Sequence, residues 1–303
     1  VFLIGAIPQV LTGWQWPFED FEVLRNFGMY QDQYATPGVD LEGVGTVALI
    51  EAGELVFRGV ESDRLRGVPA PLGSMVAVEH ARGFRSLYTH LDPEIAAGLD
   101  YELERAITLG PPGISGYTEG GYLHLQIFDQ QLRRRVNPAI LLPRYFDTQS
   151  PTIEEIGLVV GGEIRPASAE LELAPGEYAL AVSAWDTGRA GDRMPRLAPY
   201  RFVLERDGEQ LSEVVFDREH VRNGTQRLNG RMAAELVVAP FVFAIGSVEL
   251  TEDPVRYTLA VADHHENVTV ERFELAAAAA APAQAPRGER RLGEGHGAGD
   301  ELP

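Results

Sequence analysis

Residues 14–143 form short apolar runs broken by turn signals, with no sustained helical period. In Gly120-Gly121-Tyr122-Leu123-His124-Leu125-Gln126-Ile127 the period is two. Leu123, Leu125 and Ile127 point one way and Tyr122, His124 and Gln126 the other, which predicts a half-buried strand with one polar face. Thr36-Pro37-Gly38-Val39-Asp40-Leu41-Glu42 repeats the pattern, with Val39 and Leu41 alternating with Asp40 and Glu42. Residues 45–50, 54–58, 75–80 and 84–89 predict further strands, the first two joined by a turn at Gly53. Residues 93–103 predict one short helix with Asp92 as its N-cap. Residues 64–72 read as a loop, and the glycine- and proline-rich residues 108–121 as irregular chain.

From about Gln149 the character changes. Strand candidates fall at residues 170–173, 178–184, 200–204, 214–216, 236–245, 257–262 and 268–275, with turns at Pro175-Gly176-Glu177, Asp207-Gly208 and Asn223-Gly224. About seven strands in ~125 residues is the signature of a β-sandwich of immunoglobulin-like type, here without the Cys-Trp-Cys spacing of antibody domains. The chain therefore divides into an N-terminal segment (1–13), a β-sheet domain (14–148), a β-sandwich (149–275) and a tail (276–303). The tail's alanine run followed by Pro, Gly and charge predicts disorder. The fold class is all-β.

Composition narrows the partners. The formal net charge of -19 argues against nucleic acid or an anionic membrane surface as the main partner. All 26 basic residues are arginine, a feature of composition with no functional reading. With no cysteine, disulfides and thiolate zinc sites are excluded. Residues 1–7 are apolar but far short of the ~20 residues of a spanning helix. They read equally as the trimmed end of a signal peptide's apolar region or as a first strand. No other stretch is long and apolar enough to span, so the chain does not read as an integral membrane protein.

The polar faces hold the candidate chemistry. Asp40, His90 (in Tyr88-Thr89-His90-Leu91) and His124 offer one carboxylate and two imidazoles, a set suited to a divalent metal or to acid–base work. Trp16-Pro17, Phe27-Gly28, Pro37-Gly38-Val39-Asp40, Gly45-Thr46, Gly53, Tyr88-Thr89-His90-Leu91, Gly120 to Gln126 and Val136-Asn137-Pro138 follow in an order that resembles the LytM/lysostaphin-type zinc endopeptidases, which cleave peptide cross-links of bacterial cell walls. The resemblance covers residues 14–143, about half the chain. It implies a zinc held by a histidine and an aspartate of a His-x-Gly-x-Asp stretch and by the second histidine of a His-x-His strand, with two further histidines assisting.

Carried over, Asp40 matches the aspartate ligand, His124 the last ligand, and His90 a catalytic histidine. Thr36 stands where the first ligand belongs, Tyr122 where the first histidine of His-x-His belongs, and Gln126 replaces a glutamate. A neutral threonine hydroxyl is a poor zinc ligand beside imidazole. Losing one of three ligands costs several kcal/mol if ligands share the ~10–16 kcal/mol of structural sites. Tyr122 keeps a hydrogen-bond donor for an oxyanion, but a phenol is a weak base at neutral pH. The reading is a degenerate site at which zinc is weak or lost.

Three functions compete: an envelope module that has lost hydrolysis and binds peptidoglycan or a partner protein; an active zinc endopeptidase with an atypical third ligand such as Glu42; or glycan or protein binding by the sandwich, with the first domain as scaffold. The resemblance implies a location outside the bacterial cytoplasm, periplasmic or secreted. Three other clusters take plainer readings. His264-His265, in Asp263-His264-His265-Glu266-Asn267, invites a metal reading, but its place between two strand candidates favours a solvated hairpin loop; Arg133-Arg134-Arg135 reads as a solvated hairpin edge and Glu154-Glu155 as a solvated linker.

Overall fold

The computed structural model describes residues 13–31, 34–60, 70–94, 99, 102–103, 108–118, 120–167, 172–187 and 195–278. The chain is all-β with antiparallel sheets. In the first half, strands run Phe21–Arg25 (β1), Tyr30–Gln31 (β2), Tyr34–Ala35 (β3), Val39–Gly43 (β4), Gly53–Gly59 (β5), Ser74–Glu79 (β6), Phe84–Leu91 (β7), Glu102–Leu103 (β8), Leu123–Asp129 (β9) and Arg134–Val136 (β10).

Strand β9 is the axis of this unit. Along one edge it pairs with β7, from Phe84↔Asp129 to Thr89↔His124. Its other edge is shared, with β10 opposite Ile127 to Asp129 and β4 opposite Leu123 to Leu125. Leu123, Leu125 and Ile127 are fully buried with Leu41, Val76, Val78 and Tyr88 in one apolar core, as the period-two pattern requires. The register sets Asp40 and Thr89 on either side of His124. Gly38 makes this approach feasible, because a Cβ there would lie 2.2 Å from the Leu125 carbonyl oxygen.

The second half contributes Thr152–Val160 (β11), Glu163–Pro166 (β12), Gly176–Thr187 (β13), Arg196–Leu197 (β14), Arg201–Arg206 (β15), Glu209–Val215 (β16), Arg218–Arg222 (β17), Thr225–Leu228 (β18) and Arg231–Met232 (β19). A single helical turn, Ala233–Leu236, leads into Val237–Ala239 (β20), Val242–Leu250 (β21), Val255–Ala262 (β22) and Val268–Leu275 (β23). Strands β12-β11-β13-β21-β20 form one sheet, with β14 on β13, and β16-β15-β22-β23 form another. Leu180, Val182, Phe202, Leu204, Phe243, Ile245 and Leu259 bury a common core between them. Strands β17, β18 and β19 join neither sheet. They extend the first unit's sheet beyond β10, with Arg135↔Glu219 and Val136↔Arg218 in register. The division drawn at residue 148 is thus crossed by a hairpin of the second unit.

Several expected elements change. Residues 45–50 form no strand, although Val47, Leu49 and Ile50 are fully buried, because their backbone bonds go to loops: Val47 N–H to Gly110 O, Ala48 N–H to Pro17 O. The helix expected over 93–103 gives way at Glu102–Leu103 to a strand on β5; residues 95–98 and 100–101 lie outside the described residues. At its start the Asp92 carboxylate does accept the Glu94 N–H at 2.8 Å. The strand expected at 236–245 is split where Pro240 removes a ladder donor and Phe241 takes φ 60. Glu154 and Glu155 are solvated, but within β11, where a bulge at Ile153/Glu155 breaks the alternation. The N-terminal residues 1–12 and the tail beyond Ala278 lie outside the described residues, as do residues 64–69 of the expected loop and 170–171 of the first sandwich candidate.

Candidate functional site

Asp40, His90 and His124 are all buried and converge where β4, β7 and β9 meet. The His124 Nδ1–H donates to Asp40 Oδ1 at 2.5 Å. The other carboxylate oxygen, Oδ2, meets the Nε of Arg25 on β1, also at 2.5 Å. Strand pairing brings that arginine in, since β1 runs antiparallel to β4 and a bulge after Val23 places Arg25 opposite Asp40. Arg25 continues to Tyr122, donating from Nη2 to the phenol oxygen at 3.0 Å.

His124 is held from its other side too. Gln126 Nε2 lies 2.8 Å from His124 Nε2, and Gln126 Oε1 accepts from Arg135 Nε at 2.9 Å. With its oxygen taken by arginine, the Gln126 amide presents its NH₂ to the ring, so His124 carries its proton on Nδ1. Arg135 Nη1 then reaches Glu219 Oε2 of β17 at 2.8 Å, and the Glu219 side chain is fully buried. An unbroken polar chain, Glu219–Arg135–Gln126–His124–Asp40–Arg25–Tyr122, therefore links the hairpin of the second unit to the site. Arg135 is a strut between the two halves rather than part of a solvated hairpin edge.

His90 occupies the end of β7 at φ 62, outside the usual range for a residue with a Cβ. Its N–H bonds to Leu72 O, its carbonyl accepts from Gly113, and its Nδ1–H donates to Ser115 O at 2.9 Å. Burial lowers its pKa against the opposing effect of the Ser115 carbonyl, so the ring is neutral at pH 7. The His90 and Tyr122 rings lie 5.0 Å apart. Thr36 ties the 28–36 loop through its backbone, accepting from Gly28 and donating to Met29 O. Glu42, the substitute ligand considered above, is exposed, whereas Asp40 is buried.

These residues do not fit a catalytic zinc. Such a metal needs three donors with lone pairs directed at one point. Here both Asp40 oxygens and both His124 nitrogens already have partners, and one partner is a guanidinium whose charge repels a cation. Among the described residues, the one grouping of three His or carboxylate donors lies elsewhere, at Asp147, Asp263 and His265. Arg25 and Asp147 escape sequence reasoning, whereas Asp263 and His265 lie in the stretch whose metal reading ranks below that of a solvated loop. Arg25 lies in no motif and reaches Asp40 only through strand register. His264-His265, read as a solvated loop, packs instead against Tyr145, with the His265 side chain 5% exposed.

An antiparallel sheet that gathers an aspartate and two histidines on neighbouring strands is the class of architecture that the sequence resemblance implied. Comparison with solved structures returns LytM/M23-type peptidases and lysostaphin at low identity. A structure of the SpoIIQ–SpoIIIAH pore-forming complex is similar at 18% identity and TM-score 0.33, over 45% of this chain and 92% of that one. The catalytic domain of a point mutant of the prophage-encoded M23 protein EnpA from Enterococcus faecalis is similar at 17% identity and TM-score 0.31, over 44% and 96%. The antimicrobial peptidase lysostaphin from Staphylococcus simulans is similar at 13% identity and TM-score 0.31, over 70% and 85%. One family model, which carries no descriptive name, matches residues 150–278, within the second half of the chain. No curated protein matches the chain. Among the described residues no helix is long and apolar enough to cross a membrane.

Proposed function

We propose that the first unit is a LytM-like module that has exchanged hydrolysis for binding, acting in the bacterial envelope on peptidoglycan or on a partner protein. The observation that carries this reading is the Arg25–Asp40 ion pair. It supplies an internal positive charge to the carboxylate that the resemblance assigns to zinc, while Gln126 and Asp40 occupy both nitrogens of His124. A neutral His90 and the Tyr122 phenol remain, and among the described residues of this site no side-chain nucleophile is paired with a base. The rim supports binding as well: Ile114 and Tyr117 are 76% and 70% exposed on either side of Ser115, the residue that holds His90. Apolar side chains displayed around a rigid polar floor suit an extended peptide.

The test is incubation of the full chain with purified peptidoglycan, with and without a chelator. The expected result is retention of the protein on the sediment and no release of cross-link fragments. Chelator-sensitive release of fragments would overturn the reading.

A further inference from the structure

A second polar cluster lies about the seam between the two units, where Val39 of β4 lines the same small cavity as Asp186, Asp263 and His264. Asp147 comes from the linker after β10, while Asp263 and His265 come from the turn between β22 and β23. Their side chains are 3%, 1% and 5% exposed. His265 Nδ1 lies 3.5 Å from Asp147 Oδ2 and 3.9 Å from Asp263 Oδ2, too far for a hydrogen bond to either. All three donor atoms fall within 4.8 Å of one another.

Two of the three donors are orphaned. Asp147 Oδ2 has no hydrogen-bond partner, and neither ring nitrogen of His265 has one of normal geometry, though the Tyr145 carbonyl lies near enough to favour the protonated ring. The rest of the cluster is firmly held. Asp263 Oδ1 accepts the His265 and Asn267 N–H groups at 2.8 and 2.9 Å, and its Oδ2 accepts from the Asn267 amide at 2.8 Å. Asp147 Oδ1 accepts the Gln149 N–H at 2.9 Å. These bonds account for one oxygen of Asp147 and leave its inward oxygen and the imidazole without a task. Asp186, 4% exposed, adds a third carboxyl, near enough that the Asp147 and Asp263 charges help burial raise its pKa to about 8. Arg144 donates from Nη2 to Glu266 at 2.9 Å and from Nη1 to the His265 carbonyl oxygen at 3.4 Å, and its side chain is 41% exposed.

A protonated His265 bridging the two carboxylates is the plainer account. It is disfavoured by the long distances from His265 Nδ1 to both carboxylates. An ion bound tetrahedrally at ~2.0–2.1 Å holds its ligand atoms about 3.3–3.4 Å apart, close to the spacing seen between His265 and Asp147. Two carboxylates with one imidazole favour a first-row ion such as Zn²⁺ over Mg²⁺ or Ca²⁺.

We propose that Asp147, Asp263 and His265 bind one divalent zinc-class cation, which fastens the linker to the β22–β23 turn. This site shares no residue with the one that the resemblance assigns to zinc. The full chain is stripped with a chelator, titrated with Zn²⁺ and followed by elemental analysis and thermal melting. About one zinc per chain and a raised melting temperature are expected. Asp147→Asn and His265→Gln should each weaken binding at least tenfold, with circular dichroism confirming that they fold, while His124→Ala retains full stoichiometry. Asp147→Asn is close to isosteric and serves alone if the histidine variant does not fold. The proposal falls if the wild type binds no zinc or if both cluster variants bind it normally. Loss of zinc in His124→Ala with retention in the cluster variants would refute this site and the metal-free reading of Asp40 together. Chelator-sensitive hydrolysis with zinc still lost in Asp147→Asn would refute only the proposed function.

Discussion

At the scale of single residues, buried histidines tie the fold to pH. His80 is 5% exposed between Ala52 O and Ser86 Oγ, and burial lowers its pKa; the same holds for His90. A histidine depressed in the folded state contributes stability that is present above the unfolded value near 6.5 and is lost as pH falls through the folded value. In the metal-free chain Asp186 acts with the opposite sign, its pKa of about 8 removing stability as pH rises from about 4 to 8. Urea midpoints at pH 7.5 and 5.5 separate the two effects by difference. His80→Gln is expected to lose less stability on acidification than wild type, and an identical loss would contradict the assignment. At this scale the sequence is legible where a single strand decides the outcome. The polar face of β9 can be read from its period of two, which fixes the side chains that share a face. Arg25 cannot, because a residue on one strand finds its partner on another through register, here shifted by a bulge.

At the scale of elements, Gly38 shows how one position governs a strand pair. In Gly38→Ala the added methyl would meet the Leu125 carbonyl at 2.2 Å and force β4 away from β9. The expected cost is about 1–3 kcal/mol. It would be seen as a lower urea midpoint and as faster hydrogen exchange at Leu41 and Leu125. The strands that emerge from the sequence pattern include β4, β6, β7, β9, β22 and β23. Residues 45–50 mislead because full burial of Val47, Leu49 and Ile50 can be achieved by a loop as readily as by a strand. Strand β11 is hidden by its bulge, and β17 and β18 by polar sequences, with β17 finding its partner, β10, in the other half of the chain.

At the scale of the whole molecule, two halves with separate cores are joined by one sheet. The Gly28 turn packs so closely on Phe216 that a Cβ would lie 2.3 Å from that ring. Asn137 ties the same place twice, its side-chain amide donating to Phe216 O and its backbone N–H to Asp217 O. No local pattern in the sequence announces such pairing, since it depends on contacts between distant parts of the chain. It also has a consequence for synthesis. The ribosome completes β10 before it makes the β17–β18 hairpin that will cover it, so the nascent sheet passes through a stage with an open edge. Arg134 and Arg135 lie along that edge, with Arg133 in the turn that leads into it, and charge of one sign discourages edge-to-edge pairing with another copy. A chain ended at residue 148 should accordingly remain monomeric at low ionic strength and associate near 1 M salt, where repulsion is screened beyond ~3 Å. Light scattering across a salt series would detect the change, and Arg135 would then be, with its neighbours, a guardian of the unfinished protein before it is a strut of the finished one.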